Sequence, residues 1–352
     1  MFRPSEQAQN RGGTNEPHRP TAPTTDAAGR GETAVTAAAA SAAATAASAS
    51  PALQAGQVFF GLFAVLLLAG GIGQVLKYRC GAKNAAVAAL NARIYAWWLM
   101  ALVLLLSFWL GASGAVLLFF LVSFAALREF MTLVYRRRAD YGSMAVCLYL
   151  LLPVQYGFVA AQWYGLFSVF IPVYGFLLLP AVAAAGGETA RFWERTAKTQ
   201  WMVMVCVFCL SHLPALLFLK LDGLPPENNI LLLLFLTCTV QAACAARDAW
   251  DKLSAARRTL PAPVKTPFGA AAGAVSGTLA AVLLAPATPF SAVQAASIGL
   301  LACAAGFSGT PVMSAVRRDY GAQLRGGILE RIDALCFAAP VFFHTVRYFW
   351  QQ

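Results

Sequence analysis

Three short polar stretches near the C-terminal end of this 352-residue chain carry the residue types that handle phosphate. The last runs Arg325-Gly326-Gly327-Ile328-Leu329-Glu330-Arg331-Ile332-Asp333 and sets paired glycines ahead of an apolar helical run. Backbone N–H groups at such a helix start can face an anion, and the helix dipole adds to that attraction. Glu330 and Asp333 are three residues apart and share a helix face. Together they suit Mg²⁺, which is held through one or two carboxylates plus substrate phosphates. The plain alternative is a helix start with favourably placed acids. Upstream, Ser314-Ala-Val-Arg317-Arg318-Asp319-Tyr-Gly321 offers a hydroxyl and two forked guanidinium groups for phosphate oxygens. Taken alone, it also reads as a headgroup-binding basic loop. Before it, Ala262-Pro-Val-Lys265-Thr266-Pro-Phe-Gly269 supplies a mobile point charge and an N-cap hydroxyl. Read blandly, that pair is a loop lysine beside a cap.

The elements that position these stretches are apolar. Hydrophobic residues make up 59% of the chain and charged residues only 12%, about half the share of a soluble domain. Mean hydropathy is +0.64. Apolar runs approach the roughly 20 residues needed to cross about 30 Å of hydrocarbon as helix. A soluble enzyme, a nucleic-acid-binding protein and a secreted disulfide scaffold are thereby excluded. The pattern predicts an all-α integral membrane protein, a polytopic bundle of about ten transmembrane helices at 54–76, 95–110, 112–127, 143–160, 164–184, 200–219, 229–246, 269–286, 290–312 and 333–350. The pair 95–127 also reads as a hairpin around Gly111–Gly114. Residues 1–51, rich in Ala, Thr, Ser and Pro, cannot bury enough surface to order themselves and are expected to form a disordered tail. N-terminal membrane helices would then fill 52–246, and a C-terminal catalytic region with three membrane helices 247–352. Prolines 153, 172, 180, 214 and 340 inside the spans predict kinked, mutually packed helices. The small residues Gly269, Gly273 and Gly277 predict a close helix contact.

Of the 26 Lys and Arg residues, 20 fall in alternate connections: after the first, third, fifth, seventh and ninth blocks. Intervening turns are short and uncharged or acidic. This is the positive-inside pattern, and it places the three phosphate-type stretches on the cytoplasmic side, expected to be that of a bacterial inner membrane. The net charge of +11 therefore serves topology and lipid headgroups, with no nucleic acid as partner. Polar residues near mid-span, Gln155, His212 and His344, are scattered, whereas a transporter gathers such groups at the midplane.

In order and position, APVKTPFG at 262–269, SAVRRDYG at 314–321 and RGGILERIDALCFAAPVFF at 325–343 resemble the phosphatidate cytidylyltransferase (CDP-diacylglycerol synthase) family. They are similar to its S-P-x-K-T-x-E-G, its S-x-x-K-R-x4-K-D and its G-H-G-G-x-x-D-R-x-D-S segments, and the resemblance extends over roughly 90–350. It implies transfer of CMP from CTP to phosphatidic acid, with pyrophosphate released and Mg²⁺ assisting. By position it assigns Asp333 and Glu330 to catalysis and to the metal. Lys265, Thr266, Ser314, Arg317, Arg318, Gly326, Gly327 and Arg331 fall to substrate binding.

Departures accompany the matches. Glu330 stands where the family has Asp, Arg325 where it has His, and Phe268 where it has Glu. The K-D step is missing, and the family's S-D pair is absent at Gln241–Cys244, with no acid before Asp248. Asp248, Asp251 and Asp319 are the acids available to replace it. The resemblance thus leaves two readings: an active transferase of phospholipid biosynthesis, and a catalytically degenerate member that binds lipid or nucleotide or scaffolds another membrane protein. A homodimer or a partner membrane protein is expected in either case.

Overall fold

The computed structural model describes residues 51–80, 85–134, 140–221, 224–258, 266–319 and 327–351. The expected tail therefore lies outside the described residues except for Pro51, which opens the first helix. Among the described residues the chain is helical: α1 (Pro51–Cys80), α2 (Ala85–Val134), α3 (Tyr141–Ala160), α4 (Tyr164–Ala185), α5 (Phe192–Phe218), α6 (Ile230–Arg258), α7 (Pro267–Leu284), α8 (Ala292–Asp319) and α9 (Ile328–Trp350). Eight segments, from α1 to α8, are long and apolar enough to cross a membrane. α9 has 23 residues but carries Glu330, Arg331, Asp333 and Arg347, and it is not among the eight. The result is an all-α membrane protein.

The expected blocks 95–110 and 112–127 form one element folded on itself. Gly111 has φ 69° and ψ −175°, a backbone state that glycine alone reaches without cost, and the helix breaks there. The fold is evident from what the arms touch. Arg331 lies over the Tyr95 ring on the first arm, 5.6 Å from its centroid. Ile328, one turn away on α9, donates its backbone N–H to Glu129 Oε2 on the second arm at 2.7 Å. A straight helix would hold positions 95 and 129 about 50 Å apart at 1.5 Å per residue. Both arms therefore end at one edge of the bundle, beside the start of α9.

α1 runs antiparallel to the first arm, with Phe59 on Phe108 at one end, Phe63 on Trp98 in the middle, and Asn91 Nδ2 donating to the Gly73 carbonyl at 3.2 Å towards the other. Three spans contain a widened π turn: Cys147–Leu151 in α3, Phe170–Gly175 in α4 and Met204–Cys209 in α5. Each lies beside or around a proline expected to bend its helix: Pro153, Pro172 or Pro214. A proline cannot donate and crowds the carbonyl one turn back, and a wider turn absorbs both defects. α5 and α6 form the spine, with 72% and 61% of their most apolar stretch buried against 11% for α1. α7 lies tight against α6, because a Cβ on Gly273 would come within 2.7 Å of the Ala243 carbonyl oxygen and of the Phe307 ring. The expected glycine contact is therefore backbone against backbone. α6 also runs without interruption across 246–247, where the two membrane regions were expected to meet.

At the opposite edge, the end of α9 meets the α5–α6 and α7–α8 connections. Leu221 bridges Gln351, and Phe290 packs on Trp350 with ring centroids 4.9 Å apart.

Candidate functional site

Helices α2, α6 and α9 outlast their apolar stretches, and the polar turns they carry beyond converge at one edge. From α2 comes Arg93, from α6 Asp248 and Lys252, and from the first turns of α9 Glu330, Arg331 and Asp333. These six line one cavity of about 540 Å³ together with Trp97, Met100, Gln241 and Cys244. The helical period explains the α6 contribution, because Gln241, Cys244, Asp248 and Lys252 recur at three- and four-residue steps and share one stripe. On α9, Glu330 is exposed and Asp333 half-buried, and Asp333 Oδ1 accepts the Ala334 backbone N–H at 2.7 Å.

The acids are already embedded in cationic surroundings. Arg93 forms an ion pair with Asp248 across 155 residues of sequence, both side chains about one-third exposed. Arg331 stacks over Tyr95. Glu129, which sequence reasoning missed, caps α9: its Oε2 accepts from Ile328, while its Oε1 is buried with no hydrogen-bond partner among the described residues. Gly327 permits this, since a Cβ there would collide with the Glu129 carboxylate. The anion at the start of α9 is thus a carboxylate of the chain itself, at the donor that paired glycines were expected to offer a phosphate. The signal that could have revealed Glu129 is a lone acid at the end of an apolar run, 199 residues away in sequence.

Thr266 caps α7 as expected. Its Oγ1 accepts the Gly269 N–H at 2.9 Å and donates to Asp251 Oδ1 at 2.7 Å, while its backbone N–H donates to the same oxygen at 3.0 Å. Asp251, only 4% exposed, therefore ties the end of α6 to the start of α7 and does not line the cavity. Ser314 donates to the Thr310 carbonyl at 2.7 Å, and Arg318 Nε donates to the Ser314 carbonyl at 3.3 Å. Both lie on α8 outside the cavity wall. Lys265, Arg325 and Gly326 fall outside the described residues, and so does the side chain of Arg317, whose backbone continues α8. Arg247, expected in a connecting loop, sits inside α6 with its guanidinium over the Phe307 ring at 4.8 Å; its Nε and Nη1 are buried without partners among the described residues. No group of three or more His, Cys, Asp or Glu is gathered closely enough to hold a metal among the described residues.

A helical membrane protein whose edge cavity mixes guanidinium, ammonium and carboxylate groups has the makings of a phosphate-handling membrane protein. The chain belongs to the cytidylyltransferase family, whose profile matches residues 91–349. That match starts in the first arm of α2 and takes in every later helix, leaving α1 outside. A curated relative, "Uncharacterized protein YnbB" of Escherichia coli (strain K12), is 34% identical over 299 residues, covering 82% of this chain and 96% of that protein.

Proposed function

We propose that the protein transfers CMP from CTP to phosphatidic acid at the edge cavity, on the cytoplasmic face of a bacterial inner membrane. The observation that carries this reading is the convergence of Asp248, Glu330 and Asp333 with Arg93, Lys252 and Arg331 around one space of about 540 Å³. In the reaction a phosphate oxygen of the lipid attacks the α-phosphorus of CTP, the bond to the bridging oxygen breaks, and pyrophosphate leaves with that electron pair. Such chemistry asks the protein mainly for positioning and charge neutralisation.

The donor set fits Mg²⁺, which needs one or two carboxylates beside substrate phosphates and keeps several waters. Glu330 and Asp333, one turn apart on α9, would hold it, and a bound Mg²⁺ would supply charge neutralisation along the phosphates. Lys252 and Arg331 would hold phosphate oxygens. Arg93 orients Asp248 through their ion pair, and Arg331 is steadied against Tyr95. The family resemblance assigns Lys265, Arg317 and Arg318 to further phosphate contacts.

The second reading, a non-catalytic member that binds lipid or nucleotide, draws support from Asp248 being engaged by Arg93. One assay separates the two. Protein purified in detergent is incubated with labelled CTP, phosphatidic acid and Mg²⁺, and label in the lipid extract is followed. Label that depends on Mg²⁺ and vanishes in Asp333→Asn supports the transferase. Folded protein that binds CTP or phosphatidate and transfers no label supports the second reading.

A further inference from the structure

Deeper in the bundle than the charged cavity lies a second hollow of about 210 Å³, between α1, the first arm of α2 and α6. Leu62, Leu66, Ala101 and Leu104 give it a hydrocarbon wall. The two spaces adjoin, with Trp97, Met100 and Gln241 lining both. At their junction Gln241 Nε2 donates to Met100 Sδ at 3.3 Å, and a thioether is a weak acceptor that a displaced amide gives up at little cost. Val65, on the rim, is 59% exposed, so the hollow opens sideways from the bundle where lipid surrounds it.

α1 makes this space. Most of its surface faces outward, yet Leu66 is only 2% exposed and turns inward onto the hollow. The helix is pinned at three levels along the first arm of α2, so its inner face stands as a fixed wall. A space that is charged at the membrane edge, hydrocarbon beneath and open to the bilayer at its side matches an amphiphile with a phosphate head and an acyl tail. We infer that the hollow seats one acyl chain of the lipid whose phosphate occupies the charged cavity. α1, which lies outside the family-matched residues, would thus be a wall of the lipid site added to the family-matched helices. The inference rests on the reading of the charged cavity as the lipid-phosphate site.

The test uses the full chain in phosphatidylcholine nanodiscs with phosphatidic acid that carries a diazirine in its acyl chain. Adducts are mapped by mass spectrometry after irradiation. Adducts are expected on 62–66, 97–104 and 237–242, and phosphatidylcholine with the same photoreactive chain should give far fewer. Ala101→Trp, which fills the hollow, should lower them about tenfold. Leu279→Trp, on the exposed side of α7, should leave them unchanged. Ala242→Leu narrows the same space more gently and serves should the tryptophan prevent folding. Adducts spread along every lipid-facing helix whatever the head group, or adducts indifferent to both filling variants, would overturn the inference. CMP transfer measured on the same preparation keeps the two ideas apart. CDP-lipid formed while adducts lie elsewhere removes the acyl seat and keeps the transferase. Adducts in the hollow without CDP-lipid do the reverse.

Discussion

α9 ends in two cavities, one at each edge of the bundle, and they are built from different chemistry. At its start, the space of about 540 Å³ mixes Arg93, Lys252 and Arg331 with Asp248, Glu330 and Asp333. At its end, a space of about 300 Å³ is lined by Lys220, Arg347 and the amides Gln162 and Gln351, with no carboxylate on its wall among the described residues. There Arg347 lies over the Tyr164 ring at 2.8 Å, and the Tyr164 hydroxyl pairs with His344 Nδ1 at 3.1 Å. Cations can attract an anion at either edge. Among the described residues only the first adds acids, so under the proposed function position along one helix separates a place for transfer from a place suited at most to attraction.

Substitutions that break this contrast should range widely in effect. Asp333→Asn is expected to be the most severe, lowering Mg²⁺-dependent transfer of labelled CMP about 10³-fold, because it removes charge where metal and phosphates meet. Wild-type-like transfer by that variant would remove Asp333 from the site. Next comes the pair that supports it. Arg93→Ala and Asp248→Asn should each cost about 10- to 100-fold in kcat/KM. Their double variant should cost far less than the product, since the two groups act through one contact. Full additivity in that cycle would mean the ion pair seen here does no shared work.

A smaller effect is expected from Glu129→Ala. It strips the cap from α9 and should lower stability by about 1–2 kcal/mol, visible as an earlier thermal transition in detergent. An unshifted transition would show that Ile328 finds another acceptor. Smallest of all should be Arg347→Ala at the far cavity, with CMP transfer within about twofold of the parent. A large loss there would tie the two edges together and blur the contrast.

Much of the membrane architecture was legible because apolar run length and the alternation of basic connections each report on the bilayer directly. Gly111 illustrates the same clarity at one residue: a glycine between two apolar blocks marked a turn, and its backbone adopts it. Boundaries at the charged edge were harder to place. Arg93, Arg247, Lys252 and Arg331, assigned by composition to connecting loops, lie on helices that continue past their apolar stretches. Hydropathy registers where a segment stops being greasy, whereas backbone hydrogen bonding carries the helix further.

By itself, then, the sequence determined an all-helical membrane protein, a charged edge, and Glu330, Arg331 and Asp333 as a cluster, because all of these follow from local periodicity and residue type. Tertiary structure alone decided which distant residues complete that cluster. Arg93 reaches Asp248, Glu129 reaches the start of α9, and Tyr95 receives Arg331, each across more than 150 residues. It also decided that Asp251 is spent on the Thr266 cap while Asp248 faces the cavity, although the two sit three residues apart on one helix. Three residues turn a helix by about 300°, so the two side chains stand about 60° apart, enough to meet different partners at the edge of one face. Which neighbour faces the site is fixed by how α6 packs against α2, α7 and α9, and no local pattern encodes that choice.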